Sequence, residues 1–158
     1  MDMVLDTPAI REIQSSGIQF KLVQTEVPKD PQESAEFQGI ELSRLLRTIV
    51  VRRGENDYVL VLVPGGRRID WPKLRSHLGV NRLSLPDEEE ALGVTGYAKY
   101  SITPFGAQNK WPVVADSTIA GVGIVAIGAG KRGANFHIDA DQLIDYLDAR
   151  VADISSPA

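Results

Sequence analysis

No cysteine occurs among the 158 residues. That excludes a disulfide framework, a thiolate nucleophile and a cysteine-ligated metal site, and it is compatible with a reducing compartment. Histidine is nearly as scarce: His77 and His137 stand alone, with no second ligand at metal-binding spacing. There is no Gly-x-Ser-x-Gly elbow. A hydrolytic triad is therefore unsupported, and no metal or cofactor is expected. The paired Asp139 and Asp141 read as helix-capping residues rather than ligands. Long apolar runs are also missing. The longest are strand-sized, far below the roughly 20 residues of a membrane helix. Met1–Asp6 carries neither a basic n-region nor a long apolar stretch. The expectation is a cytoplasmic protein that does not engage a membrane.

What is present is ordinary globular material, 43% hydrophobic and 24% charged, at a length that suits one domain over residues 1–158. The net charge of −4 conceals a segregation. Residues 1–43 hold three Lys/Arg against eight Asp/Glu, residues 44–82 nine against three, and residues 83–158 five against ten. The basic middle segment reads either as a local phosphate-binding face or as a solvated rim. Its tandem Arg52-Arg53 and Arg67-Arg68 have the same two readings, phosphate contacts or edge charges that deter aggregation.

Periodicity and punctuation predict a mixed α/β fold: one β-sheet layer, partly barrel-like, with short flanking helices. Thr7-Pro8 opens a helix that Gly17 stops. Ile18 to Thr25 alternates as a strand. Ser34 to Phe37 starts a short helix limited by Gly39, and Leu42 to Leu46 suggests a helical turn. Thr48–Val51 and Tyr58–Val63 form a hairpin across Gly54–Asp57. The second strand is apolar throughout, so it is expected to be central and covered on both faces. Asp70 caps a helix over Trp71–Leu78, stopped by Gly79, and Pro86–Glu90 opens another with acids at its positive end. Trp111–Asp116, Gly121–Ile127 and Ala134–Ile138 are strands, and Asp139 caps a last helix that packs Leu143, Ile144 and Leu147 inward. The tail Ser155–Ala158 is expected to fray.

Two segments carry the functional signal. Arg47-Thr48-Ile49-Val50-Val51 puts a cation at the mouth of a buried strand. Gly96-Tyr97-Ala98-Lys99-Tyr100-Ser101-Ile102-Thr103-Pro104-Phe105-Gly106 is a loop bracketed by glycines and stiffened by proline. Between Ile127 and Ala134, Gly128-Ala129-Gly130-Lys131-Arg132-Gly133 resembles a phosphate loop in composition. It lacks the Walker lysine followed by Ser/Thr and a suitable following helix, so a strand-to-strand turn is the simpler reading. Such a turn still presents backbone N–H groups to an oxyanion.

In order and spacing these segments, from about Ser34 to Leu147, resemble the YbaK-like aminoacyl-tRNA editing domains, the prolyl-tRNA-associated deacylases. The resemblance implies hydrolysis of the ester joining a wrong amino acid to the tRNA 3′ end. Mischarged tRNA is then the partner, and an aminoacyl-tRNA synthetase a second candidate partner. It also implies a reaction in which fixed dipoles and a tRNA hydroxyl position water, with no side-chain nucleophile. Carried onto this chain, Arg47, Tyr100 and Ser101 stand at the reacting centre. Thr48, Thr103, Pro104, Asp116, Gly128 and Gly130 stand at substrate-binding positions. Two positions depart from the family pattern. Arg47 replaces a lysine that anchors the terminal nucleotide, and its planar fork cannot act as a base. Tyr100 replaces the first glycine of a Gly-x-x-x-Pro motif, where its ring can fill the pocket or swing aside and its hydroxyl can add a hydrogen bond. The alternative is a non-catalytic binding module that keeps the pocket for a tRNA end or nucleotide. A plain interaction domain would follow if Tyr100 closed the cavity. Asp116 has an alternative role, bonding turn amides.

Overall fold

The computed structural model describes residues 5–158. The reading of the N-terminus rests partly on Met1–Val4, which lie outside the described residues. The fold is mixed α/β, as expected. Helix α1 (Pro8–Ser16) begins at Thr7, whose hydroxyl accepts the Ile10 N–H, and ends at Gly17. Strand β1 (Lys21–Gln24) is shorter than the alternation suggests. Helix α2 (Pro31–Gln38) starts earlier than expected because Asp30 caps it through the Glu33 N–H. A 3-10 turn over Leu42–Arg44 then leads into β2 (Leu46–Gly54) and β3 (Asp57–Pro64). Only Glu55 and Asn56 separate these two strands, with a bulge between Arg52 and Gly54, so the hairpin is tighter than the four-residue turn read from sequence.

Arg67–Ile69 forms an unexpected short strand, β4, before α3 (Trp71–Leu78) and α4 (Glu88–Thr95), which are capped by Asp70 and Asp87. Strands β5 (Val113–Asp116), β6 (Ile124–Gly128) and β7 (Ala134–Asp139) lead to α5 (Ala140–Leu147), capped by Asp139. The chain ends with β8 (Arg150–Ala152) and β9 (Ser155–Pro157).

Hydrogen bonding divides the strands into three ladders, ordered β1-β7-β6, β2-β3-β5-β8 and β4-β9. A bridge between Leu45 and Ala126 joins the first two where β2 begins. Strand β3 is central, antiparallel to β2 and parallel to β5. Its alternation serves two cores. Leu60 and Leu62 enter a large cluster with Ile10, Ile13, Phe105, Phe136 and Leu143, and Val59, Val61 and Val63 enter a smaller one with Leu74 and Ile154. Burying each such side chain stabilises the fold by about 1.5–3 kcal/mol, which is why this strand lacks a polar face.

The tail corrects the sequence reading. Ser155–Pro157 pairs antiparallel with Arg67–Ile69, and Ile154 is fully buried. The Arg67 Nε donates to Ser155 Oγ at 2.6 Å. Ser-Ser-Pro-Ala has no apolar alternation to announce a strand; the single buried Ile154 and the partner β4 create it.

Candidate functional site

A cleft of about 930 Å³ opens along one edge of β2. That edge is free because β2 pairs with β3 on its other side only. Leu45 bridges Ala126 at one end of the free stretch and Arg52 bridges Ser84 at the other. The Arg52 N–H and C=O bond Ser84 at 2.8 and 3.0 Å. Antiparallel ladders repeat every two residues, so the N–H and C=O of Thr48 and Val50 face the same free edge. Leu45–Val50 line the cleft floor, Lys99–Ile102 one wall and Gly128 with Gly130–Asn135 another, with Pro28–Pro31 and Leu85–Glu88 at the rim.

Both walls are pinned from behind. Tyr97 Oη donates to the Phe105 carbonyl at 2.7 Å, and the Gly106 N–H donates to Glu12 Oε1 at 3.0 Å. Phe105 is buried edge-on to Phe136. A Cβ at Gly106, which has φ +64°, would lie 2.3 Å from the Pro8 backbone carbon, so only glycine fits between the loop and α1. Gly130 has φ +90°, and a Cβ there would lie 2.8 Å from Tyr97 Cε1. The Thr7 hydroxyl that caps α1 donates to the Ala129 carbonyl at 2.6 Å. The helix cap, the glycine turn and the proline loop are thus one rigid assembly. Burial, followed by the charge of Glu12, pushes the Tyr97 phenol up to about 12.

Arg47, Thr48, Tyr100, Ser101, Gly128 and Gly130 all line the cleft. The backbone of Tyr100 has φ +68°, the left-handed region that glycine prefers. The residue is 72% exposed. The tyrosine therefore keeps a glycine-like backbone and leaves the cavity open, so the interaction-domain reading that depended on a closed cavity loses its basis.

Arg47 is partly committed elsewhere. Its Nη2 donates to the Arg67 carbonyl at 2.7 Å, tying the guanidinium to β4, and its Nε is buried with no protein partner. The Ser101 N–H closes a turn onto the Ala98 carbonyl at 3.0 Å, so this amide is not directed at a ligand.

Thr103 and Pro104 stand behind the wall, both buried. Thr103 Cβ lies 3.9 Å from where a Gly128 Cβ would sit. The hydroxyls of Thr48 and Thr103 are buried and have no hydrogen-bond partner in the protein. A buried unbonded hydroxyl is costly, and periodicity gives no sign of one.

Asp116, expected at a substrate-binding position, does not line the cleft. Its side chain is 1% exposed, Oδ1 accepts the Ile154 N–H at 3.1 Å and Oδ2 the Thr118 N–H at 3.1 Å, with the Thr118 hydroxyl as a further donor. Burial alone would raise its pKa, but hydrogen bonds from Thr118, Ser155 and the backbone hold it below the usual value.

The basic segment is likewise mostly paired within the chain. Arg53 pairs with Asp57 at 2.9 Å, Arg67 with Ser155 and Asp116, and Arg52 with Glu90 at 3.8 Å. Of the cations in this segment Arg47 alone lines the cleft; the rim cations Lys29, Lys99, Lys131 and Arg132 come from other parts of the chain. His137 Nε2 bonds Gln38 Oε1 at 3.0 Å, and burial followed by the charge of Lys21 lowers its pKa. His77 lines a separate cleft of about 700 Å³. Among the described residues no cluster of three His, Asp or Glu side chains is placed to hold a metal ion, and no helix is long and apolar enough to cross a membrane.

The sequence profile of the aminoacyl-tRNA editing domain matches residues 25–146. The chain belongs to the aminoacyl-tRNA editing domain family. It is 28% identical over 147 residues to a proline–tRNA ligase of Trichlorobacter lovleyi, covering 92% of this chain and 25% of the ligase. It is 22% identical over 153 residues to EbsC of Enterococcus faecalis, named as a candidate Cys-tRNA(Pro)/Cys-tRNA(Cys) deacylase, covering 95% of this chain and 93% of that protein. Among solved structures, a candidate trans-editing enzyme for prolyl-tRNA synthetase superposes with a TM-score of 0.86 at 26% identity, covering 97% of this chain and 99% of that one. This editing domain thus spans a quarter of the ligase and nearly all of the two smaller proteins.

Proposed function

We propose that this chain, as one editing domain over residues 1–158, acts in trans to hydrolyse the ester of mischarged aminoacyl-tRNA in the cytoplasm. The observation that carries this reading is the open edge of β2 inside the cleft of an editing domain. In the proposed reaction water adds to the ester carbonyl carbon. The tetrahedral intermediate then expels the ribose oxygen, which takes a proton, leaving a free amino acid and a tRNA with its terminal hydroxyl restored. Developing negative charge on the carbonyl oxygen calls for donors that are already in place. The N–H groups of Thr48 and Val50 are candidates, because the alternation of the sheet turns them towards the cleft and they have no hydrogen-bond partner among the described residues.

In this reading Arg47 attracts the terminal nucleotide, although one of its N–H groups already serves Arg67. Ser101, Gly128 and Gly130 shape the walls, and the Thr48 and Thr103 hydroxyls form the polar lining at and behind them. Tyr100 lies at the mouth and Pro104 stiffens the loop from behind. A prolyl-tRNA synthetase is the candidate protein partner, by analogy with the names its relatives carry.

The test is hydrolysis of a panel of mischarged tRNAs by the purified protein, with alanyl- and cysteinyl-tRNA for proline included. Hydrolysis well above the buffer rate, lost in Arg47→Ala, is the expected result. No hydrolysis across the panel, with tRNA still bound, would refute the reading and leave a binding module.

A further inference from the structure

Tyr100 combines two costs that the fold does not need. Its backbone sits in the left-handed region, which disfavours a residue with a Cβ. The residue is also the most exposed of the large apolar residues among the described residues. Nothing in the core is gained by either. Two cations stand at the ring: Lys99 Nζ is 5.1 Å and the Arg132 guanidinium carbon 5.2 Å from its centroid. All three residues line the cleft, on two different walls. Lys29 and Lys131 stand on the same rim.

We infer that Tyr100, flanked by Lys99 and Arg132, is a stacking platform for an unpaired base of the RNA acceptor end, next to the nucleotide whose ester enters the cleft. Single-stranded RNA is held by bases stacked on aromatic rings and arginine planes, with cations on the backbone phosphates. The rim supplies each of these groups. A protein partner would be better served by a larger apolar patch, and here one ring stands between two cations, of which Lys99 also pairs with Glu88 at 3.1 Å and Arg132 has no acidic partner among the described residues. The ring stands exposed at the mouth of a cleft that stays open, so the same residue leaves room for the aminoacyl group and extends the contact along the strand. The inference rests on the proposed deacylase reading for the identity of the RNA, but stacking is measurable without hydrolysis.

The experiment uses the full chain and uncharged RNA hairpins ending in single-stranded CCA, with 2-aminopurine replacing each unpaired base in turn. Fluorescence of one position should be quenched on binding to the wild type, Tyr100→Phe and Tyr100→Trp. Tyr100→Gly should keep the fold, bind about tenfold more weakly and show no quench, the size expected for one lost base–aromatic stack. In deacylation assays Tyr100→Gly should raise KM far more than it lowers kcat. Equal affinity and equal quench in Tyr100→Gly would overturn the platform. Hydrolysis absent in the wild type with the quench present would refute the deacylase reading and uphold the platform. Tyr100-dependent binding of prolyl-tRNA synthetase, with no quench on any hairpin, would overturn it in favour of a protein contact.

Discussion

Asp116→Asn isolates the knot that holds the C-terminal strand. The carboxylate accepts from Ile154 N–H on one oxygen and from Thr118 N–H and hydroxyl on the other, with Arg67 Nε at 3.8 Å. An asparagine has one acceptor oxygen, so its NH2 must oppose one of these amide donors. A hydrogen bond to a charged group contributes about 1.5–3 kcal/mol, and an unsatisfied buried donor costs about 1–3 kcal/mol. A loss of about 3 kcal/mol at neutral pH is therefore expected, or roughly 6–12 °C in Tm for a chain of this size. The pH dependence has a defined sign. The folded pKa lies below the ordinary 3.8, so the charged form stabilises the fold above that value. The contribution is lost as pH falls below 3.8 through the folded pKa. Thermal unfolding of both proteins between pH 7 and 2.5 should show curves that converge at the acid end. Equal Tm at pH 7, or a difference that does not shrink with acid, would refute the structural role. Loss of hydrolysis without loss of stability would return Asp116 to the substrate.

Three further outcomes are expected. Ile154→Ala should cost about 2–5 kcal/mol in denaturant unfolding, because Ile154 is fully buried beneath the tail; an effect below 0.5 kcal/mol would mean the tail is only loosely attached. Thr48→Val removes a buried hydroxyl that has no partner in the protein, so stability should hold or rise by about 1 kcal/mol while hydrolysis falls; unchanged hydrolysis would exclude that hydroxyl from substrate contact. Tyr97→Phe should cost about 1–2 kcal/mol by leaving the Phe105 carbonyl unbonded. The raised phenol pKa makes wild-type stability fall as pH rises from 10 to about 12. That part of an alkaline unfolding profile should vanish in the variant, and its persistence would refute the assignment.

Local chemistry was legible in the chain. Thr7, Asp70 and Asp139 cap helices where their side chains predict, and Gly17 and Gly79 end them, because caps depend on neighbours within four residues. The apolar run of β3 declared a central strand, since only a strand covered on both faces lacks a polar side. The order of the Arg47 strand, the proline loop and the glycine turn was enough to anticipate the family.

Tertiary structure decided what each of those residues does. Arg47 lies on the cleft strand, but its guanidinium is drawn to a carbonyl twenty residues on. Tyr100 takes a left-handed backbone and stays largely exposed at the cleft, which remains open. Asp116 became part of a buried knot only once Ile154 came within reach from the far end of the chain, and the same docking made a strand of an unpromising tail. The basic segment could be read as one face or as a solvated rim, but Arg52, Arg53 and Arg67 found acidic or hydroxyl partners and Arg44 and Arg47 backbone carbonyls. Each of these outcomes depends on groups distant in sequence meeting at hydrogen-bond range, which local pattern does not encode.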